Sequence, residues 1–79
     1  MENIKKEVVD AVKQMDLARK EITQTEYMLN KLDDYTECGF YVDSLYLPAN
    51  KSFVEHCLQK RIQCLKKYQN QLLNLIKNQ

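Results

Sequence analysis

The chain has 79 residues, enough for one domain and too few to bury a large core without a disulfide, a metal or another chain. With 44% hydrophobic and 29% charged residues, one Gly and one Pro, it lacks the turn formers of an all-β protein and reads as all-α. Its net charge of +1 excludes a general attraction to nucleic acid or anionic lipid. The balance is uneven along the chain: six Lys/Arg stand against ten Asp/Glu in residues 1–50, a net −4, and six against one in residues 51–79, a net +5.

The first predicted element is a long helix over about 4–37. Asn3 is placed to cap it, and small or apolar residues recur at Ile4, Val8, Ala11, Met15, Ala18, Ile22, Thr25, Leu29 and Leu32. Steps of four and three alternate without a break, which is a heptad seam that packs along one line against another helix. Val12 and Met28 widen the seam locally. Ala11, Ala18 and Thr25 share one heptad position; this reads first as ordinary core variation, and otherwise as small side chains that let a neighbouring backbone come close or leave room for a larger knob from it. Gly39 is expected to end the helix in the left-handed C′ conformation. Asp33, Asp34 and Glu37 oppose the helix dipole there, so positive charge is expected beside them.

The connection over 38–51 holds the only Gly and the only Pro, and five of the seven Phe and Tyr residues (Tyr35, Phe40, Tyr41, Tyr46, Phe53) lie in it or beside it. Phe40 and Val42 alternate with Tyr41 and Asp43 before Leu45, Tyr46 and Leu47. Two local readings stay open, a short extended piece and a single helical turn opened by Asp43, because so short a run is below what periodicity resolves. Two roles stay open as well. The aromatics either plug the end of a helix pair or, as Phe40, Tyr41, Leu45, Tyr46 and Leu47, form a docking surface for a protein partner.

A second helix is predicted over about 53–77. Ser52, Phe53, Val54 and Glu55 read as a capping box that starts it. Val54, Leu58, Ile62, Leu65, Gln69, Leu72 and Ile76 continue the heptad rhythm, with Cys57, Cys64, Tyr68, Leu73 and Leu75 beside it. That stripe is wider than one neighbour covers. The expected architecture is a two-helix antiparallel hairpin, coiled-coil-like, that completes a bundle by oligomerisation. Its helix interface is drawn from Val8, Met15, Ile22, Leu29, Leu58, Ile62, Leu65, Leu72 and Ile76. Antiparallel pairing also brings Asp33, Asp34 and Glu37 toward Lys51, Lys60 and Arg61, an effect that selects orientation more than it stabilises.

No catalytic or metal-binding pattern stands out. His56 and Cys57 point about 100° apart on a helix and do not face each other as base and nucleophile. Cys57 and Cys64 are roughly 10 Å apart along the axis, too far for a disulfide or a shared metal. An odd number of Cys, three, fits reduced thiols. No apolar leader and no span of about 20 apolar residues is present, so a cytoplasmic or at least intracellular setting is expected, the nucleus included, with no membrane. Lys60, Arg61, Lys66, Lys67 and Lys77 lack the interleaved aromatics of a stacking platform, which argues against nucleic acid as partner. The expectation is therefore a protein that is not an enzyme, needs no cofactor, and works by protein–protein contact: a small scaffold, adaptor or inhibitor subunit that self-associates or joins a larger complex.

A long heptad helix, then Gly39-Phe40-Tyr41-Val42-Asp43, then Phe53-Val54-Glu55 opening a second heptad helix with Lys60-Arg61, resembles the α-type subunits of prefoldin and prefoldin-like co-chaperones. The resemblance implies that Gly39 to Asp43 form a strand leading toward the second helix. It also implies a chaperone-like function, with the paired helices holding unfolded clients.

Overall fold

The structure, a computed structural model, describes residues 5–78; the expected cap at Asn3 and seam position Ile4 lie outside them. Helix α1 (Lys6–Lys31) is followed by one 3-10 turn (Leu32–Asp34), strand β1 (Cys38–Val42), strand β2 (Leu45–Ala49) and helix α2 (Lys51–Lys77). The helices are antiparallel neighbours: Gln69 Nε2 donates to the Met15 carbonyl at 3.4 Å and Arg61 Nε to Thr25 Oγ1 at 3.3 Å. The two-helix hairpin is present and the described chain is mostly helical, with one addition to the all-α expectation: a short antiparallel β-hairpin joins the two helices.

Core residues follow the heptad. On α1, Ala11, Ala18, Ile22 and Thr25 are buried, with Leu32 in the turn that follows, and on α2 Val54 is buried while Leu58, Ile62, Leu65, Gln69, Leu72 and Ile76 are half-buried. The tightest points are small. Ala18 is 2% exposed and Thr25 1%, so the helices approach closest where α1 offers the least side chain. Thr25 Oγ1 donates back to the Glu21 carbonyl at 2.7 Å, which satisfies its buried hydroxyl.

Helix α1 ends before the expected boundary at 37. Its last turn holds Lys31, and the Lys31 ammonium sits 3.7 Å from the Asp34 carboxylate. Stopping there keeps Asp33, Asp34 and Glu37 out of the last helical turn, where carboxylates oppose the dipole. Gly39 is not a left-handed helix terminator. It lies in β1 with no positive φ, and a Cβ on it would fall 2.1 Å from the Leu47 carbonyl oxygen. The glycine is required by close backbone approach across the strands.

Helix α2 also starts earlier than expected. Asn50 occupies the N-cap without a side-chain cap bond, and its carbonyl accepts from the Phe53 and Val54 N–H groups at 3.1 Å. Pairing of Ala49 with Cys38 holds the chain extended up to Asn50, so the helix closes its first turn there. Ser52 and Glu55 then fall inside the helix and form no capping box.

Candidate interaction surface

Of the two local readings for the tip, the extended one is what forms. Register runs from Cys38 opposite Ala49 through Phe40 opposite Leu47 to Val42 opposite Leu45. The two-residue loop is Asp43-Ser44, with φ of 49° and 68°. Positive φ at both loop positions is the signature of a type I′ turn, whose twist suits adjoining strands. Neither residue is Gly or Asn, which is why the turn is hard to see in sequence. Pro48 is accommodated because a two-stranded sheet consists only of edge strands.

The tip aromatics divide by strand face. Phe40 is half-buried and meets Phe53 of α2 edge-on, with ring centroids 5.9 Å apart. Tyr41 and Tyr46, directly opposite across the strands, meet on the other face with ring centroids 5.3 Å apart and planes tilted by 55°. Tyr41 is 75% exposed and Leu45 63%, and Tyr46 and Leu47 are exposed as well. Desolvation first, then the Glu37 carboxylate, Cys38 and Tyr41, raise the Tyr46 phenol above its usual range. Phe40 therefore anchors the hairpin to the helices, while Tyr41 and Leu45 face solvent. Cys38 Sγ lies 3.5 Å from the Ala49 carbonyl, binding the hairpin base.

Below Phe40, the helices open a cavity of about 370 Å³. Leu32, Val54 and Leu58 form its floor, Tyr27 and Met28 one wall, and Gly39 and Phe40 its end. Lys31 stands at its edge with its ammonium 5.8 Å from the Tyr27 ring centre, within cation–π range. Further along, Arg61 reaches across the helix pair to Glu21, Nη2 to Oε2 at 2.6 Å. It is the one ion pair between the helices among the described residues. The expected meeting of Arg61 with Asp33, Asp34 or Glu37 does not occur, because the register places Arg61 beside Thr25.

The two broad sides of the hairpin differ. At about 100° per residue, Leu17 and Met28 on α1 and Cys57, Cys64 and Tyr68 on α2 lie about a quarter turn from the seam, in the sense that brings both groups to one side. The Arg61–Glu21 pair crosses this same side. The opposite side carries the Asp16–Arg19–Lys20 cluster, with Asp16 2.8 Å from Arg19 and 3.2 Å from Lys20, together with Glu26, Glu55 and Lys66. Hydrogen bonds from Arg19 first, then from Lys20, hold the Asp16 carboxyl below its ordinary value.

Of the expected interface residues, Ile22 is buried and Val8, Met15, Leu29, Leu58, Ile62, Leu65, Leu72 and Ile76 are half-buried along the seam. The most buried seam residues, Ala11, Ala18 and Thr25, are the small ones, which signal proximity by what they lack. Leu17 was not part of the expected surface, and its spacing of eleven residues from Met28 was the signal that would have found it. Cys57 is half-buried and Cys64 exposed, both as free thiols, and no metal-binding cluster of His, Cys, Asp or Glu exists among the described residues. Among the described residues no helix is long and apolar enough to cross a membrane. No family model matches the chain, nor does any curated protein or solved structure.

Proposed function

We propose that this chain is a non-catalytic interaction module, a small scaffold, adaptor or inhibitor subunit that works by adding helices to its partner's, through self-association or as part of a larger complex. The observation behind this reading is the mismatch between surface and core. The chain exposes 6483 Å², whereas a compact protein of its mass exposes about 5,000 Å². Its radius of gyration is 16.8 Å against about 12 Å for a compact domain of this length. The excess is larger than the roughly 800 Å² that a standard protein–protein interface removes from water on each partner. Size-exclusion chromatography with light scattering, alone and after a pull-down, tests the reading. A dimer, higher oligomer or single stoichiometric complex is expected, with a melting temperature that rises with concentration or partner. A monomer that melts independently of concentration and retains no partner contradicts it.

A second reading is a prefoldin-like co-chaperone subunit. It is favoured by one feature: residues 39–42, within the stretch that the resemblance assigns to a strand, are extended and carry the solvent-facing Tyr41 between two heptad helices. The chain has one hairpin where an α-type subunit carries two, so this reading stands second. It predicts that the purified protein suppresses aggregation of unrelated unfolded clients, and a protein without that activity is not such a subunit.

A further inference from the structure

The two edges of the hairpin sheet are not equivalent. In a hairpin closed by a two-residue turn, the flanking residues exchange hydrogen bonds, and bonded and non-bonded pairs then alternate along the strands. From the register, Val42–Leu45, Phe40–Leu47 and Cys38–Ala49 are the bonded pairs, and Tyr41–Tyr46 and Gly39–Pro48 the non-bonded ones. Residues of a non-bonded pair aim their N–H and C=O groups away from the neighbouring strand. On β2 this outer row includes Pro48, which has no N–H, so a further strand is blocked there. On β1 it consists of Gly39 and Tyr41, each with a donor and an acceptor. Neither backbone bonds to a group outside the hairpin among the described residues. The cavity at the helix ends lies toward the same strand. Gly39 and Phe40 of β1 line it, together with Tyr35 and with Met28 of the apolar side, whereas no residue of β2 does. Glu37 precedes β1 and Asp43 follows it; both are exposed and neither has an ion-pair partner among the described residues.

From this we infer that the free edge of β1 receives an extended segment of a protein partner, paired antiparallel, with a bulky apolar residue opposite Phe40 and a Lys or Arg three residues to either side of it. The inference rests on the interaction-module reading and names the chemistry of its partner. Main-chain bonds hold the segment, because the residues flanking the apolar one each exchange a pair of hydrogen bonds with Gly39 or Tyr41. The apolar side chain shares the face of Phe40 and so meets the cavity that Phe40 closes, since residues directly opposite across a sheet point the same way. Three residues on, the side chains alternate to the face of Tyr41. There they stand across from Glu37 and Asp43, and the segment between them spans about 23 Å. A second copy of β1 fits the edge poorly. Pairing Gly39 with Tyr41 of the other copy would set Glu37 opposite Asp43 at both ends, and like charges directly opposite destabilise a sheet. Pairing Tyr41 with its own counterpart would set Gly39 opposite Asp43, whose φ of 49° is not that of a strand.

The test is an NMR titration of the isotope-labelled full chain with the peptide acetyl-Lys-Thr-Val-Leu-Val-Thr-Lys-amide. One twin is N-methylated at both valines, and another carries Glu in place of both lysines. The first peptide is expected to shift the Gly39 and Tyr41 amide signals most and to slow their hydrogen exchange, which is fast in the free chain because these N–H groups face water. The N-methylated twin should bind at least about tenfold more weakly, having lost both donors. The Glu twin should bind severalfold more weakly, by a margin that shrinks as salt rises. Tyr41→Pro removes an outward donor from β1 as Pro48 does from β2, and should abolish the protection of Gly39 with unchanged helical circular dichroism. If that variant loses the hairpin, the N-methylated twin decides alone. No binding of the first peptide, equal binding of either twin, or shifts centred on Tyr46 instead of Tyr41 overturns the inference. Protection of Gly39 and Tyr41 without peptide, lost on dilution, also overturns it, in favour of a second copy, yet leaves the interaction-module reading intact. That wider reading fails only if the chain is also a partnerless monomer.

Discussion

The seam between the helices and the hairpin at their end hold together by opposite means. Along the seam, alanine and threonine let two helices close on each other, so its most buried points are the smallest side chains. At the tip, large aromatics do the joining: Phe40 wedges against Phe53, and the remaining rings are left in water. A seam of small residues gains stability from length, from many modest contacts repeated over some seven turns. An aromatic tip gains it from one anchor, and an isolated two-stranded hairpin is marginal without such support. Damage should therefore spread through the whole molecule from the seam and stay local at the tip.

The severest expected effect is in the seam. Ile22→Asp places an uncompensated charge at a buried position, and the chain should lose its helical circular dichroism signal. Ala18→Leu adds three heavy atoms at a site that is 2% exposed, so the helices must separate to take them, an overpacking that typically costs about 1–3 kcal/mol, read as a lower melting temperature. Retention of wild-type melting in both variants would mean that the helices do not meet along this line.

Next comes Gly39→Ala. An added methyl collides with the Leu47 carbonyl, so the strands must part, and the hairpin amides should exchange faster while those of α1 and α2 stay protected. Uniform loss of protection would show the tip and seam to be one cooperative unit. Phe40→Ala should lower stability by at most about 3 kcal/mol, the lower end for a fully buried aromatic, whereas Tyr41→Ala should change melting little. Equal losses from both would erase the division of the tip into anchor and exposed face.

These regions also differ in how far sequence discloses them. The seam repeats its signal from Val8 to Leu32 and from Val54 to Ile76, and errors at single positions do not blur a pattern of that length. The hairpin offers only five residues per strand, with Pro48 inside one of them and a loop, Asp43-Ser44, that lacks the usual Asn-Gly. Gly39 was visible as special, but a left-handed helix end and a close strand crossing both demand glycine, and only the neighbouring Leu47 carbonyl decides between them. Ser52 and Glu55 have capping-box spacing, yet the strand pairing at Ala49 moves the helix start to Lys51. The apolar side was half legible in Cys57, Cys64 and Tyr68. Of its α1 contribution, Met28 was legible as widening the seam, whereas Leu17 was not, because its apolar partner on that face lies eleven residues away.

The smallest expected effect lies on the polar side. Asp16→Asn removes a carboxylate that Arg19 and Lys20 hold below its ordinary pKa. A depressed folded-state pKa adds stability above the unfolded value, and that stability is lost as pH falls through the folded one. The variant should therefore melt slightly below wild type at neutral pH and together with it in strong acid. A gap that widens on acidification would reverse the assigned sign.

The central claim is that the apolar side serves a partner and is dispensable for the fold. Melting of the Leu17→Glu, Met28→Glu double variant at the lowest measurable concentration tests it most directly. The account predicts helical circular dichroism like that of wild type and a midpoint within about 5 °C of it, the range of one or two surface substitutions in a domain this small. Loss of the folded signal would contradict it, because those side chains would then belong to the core.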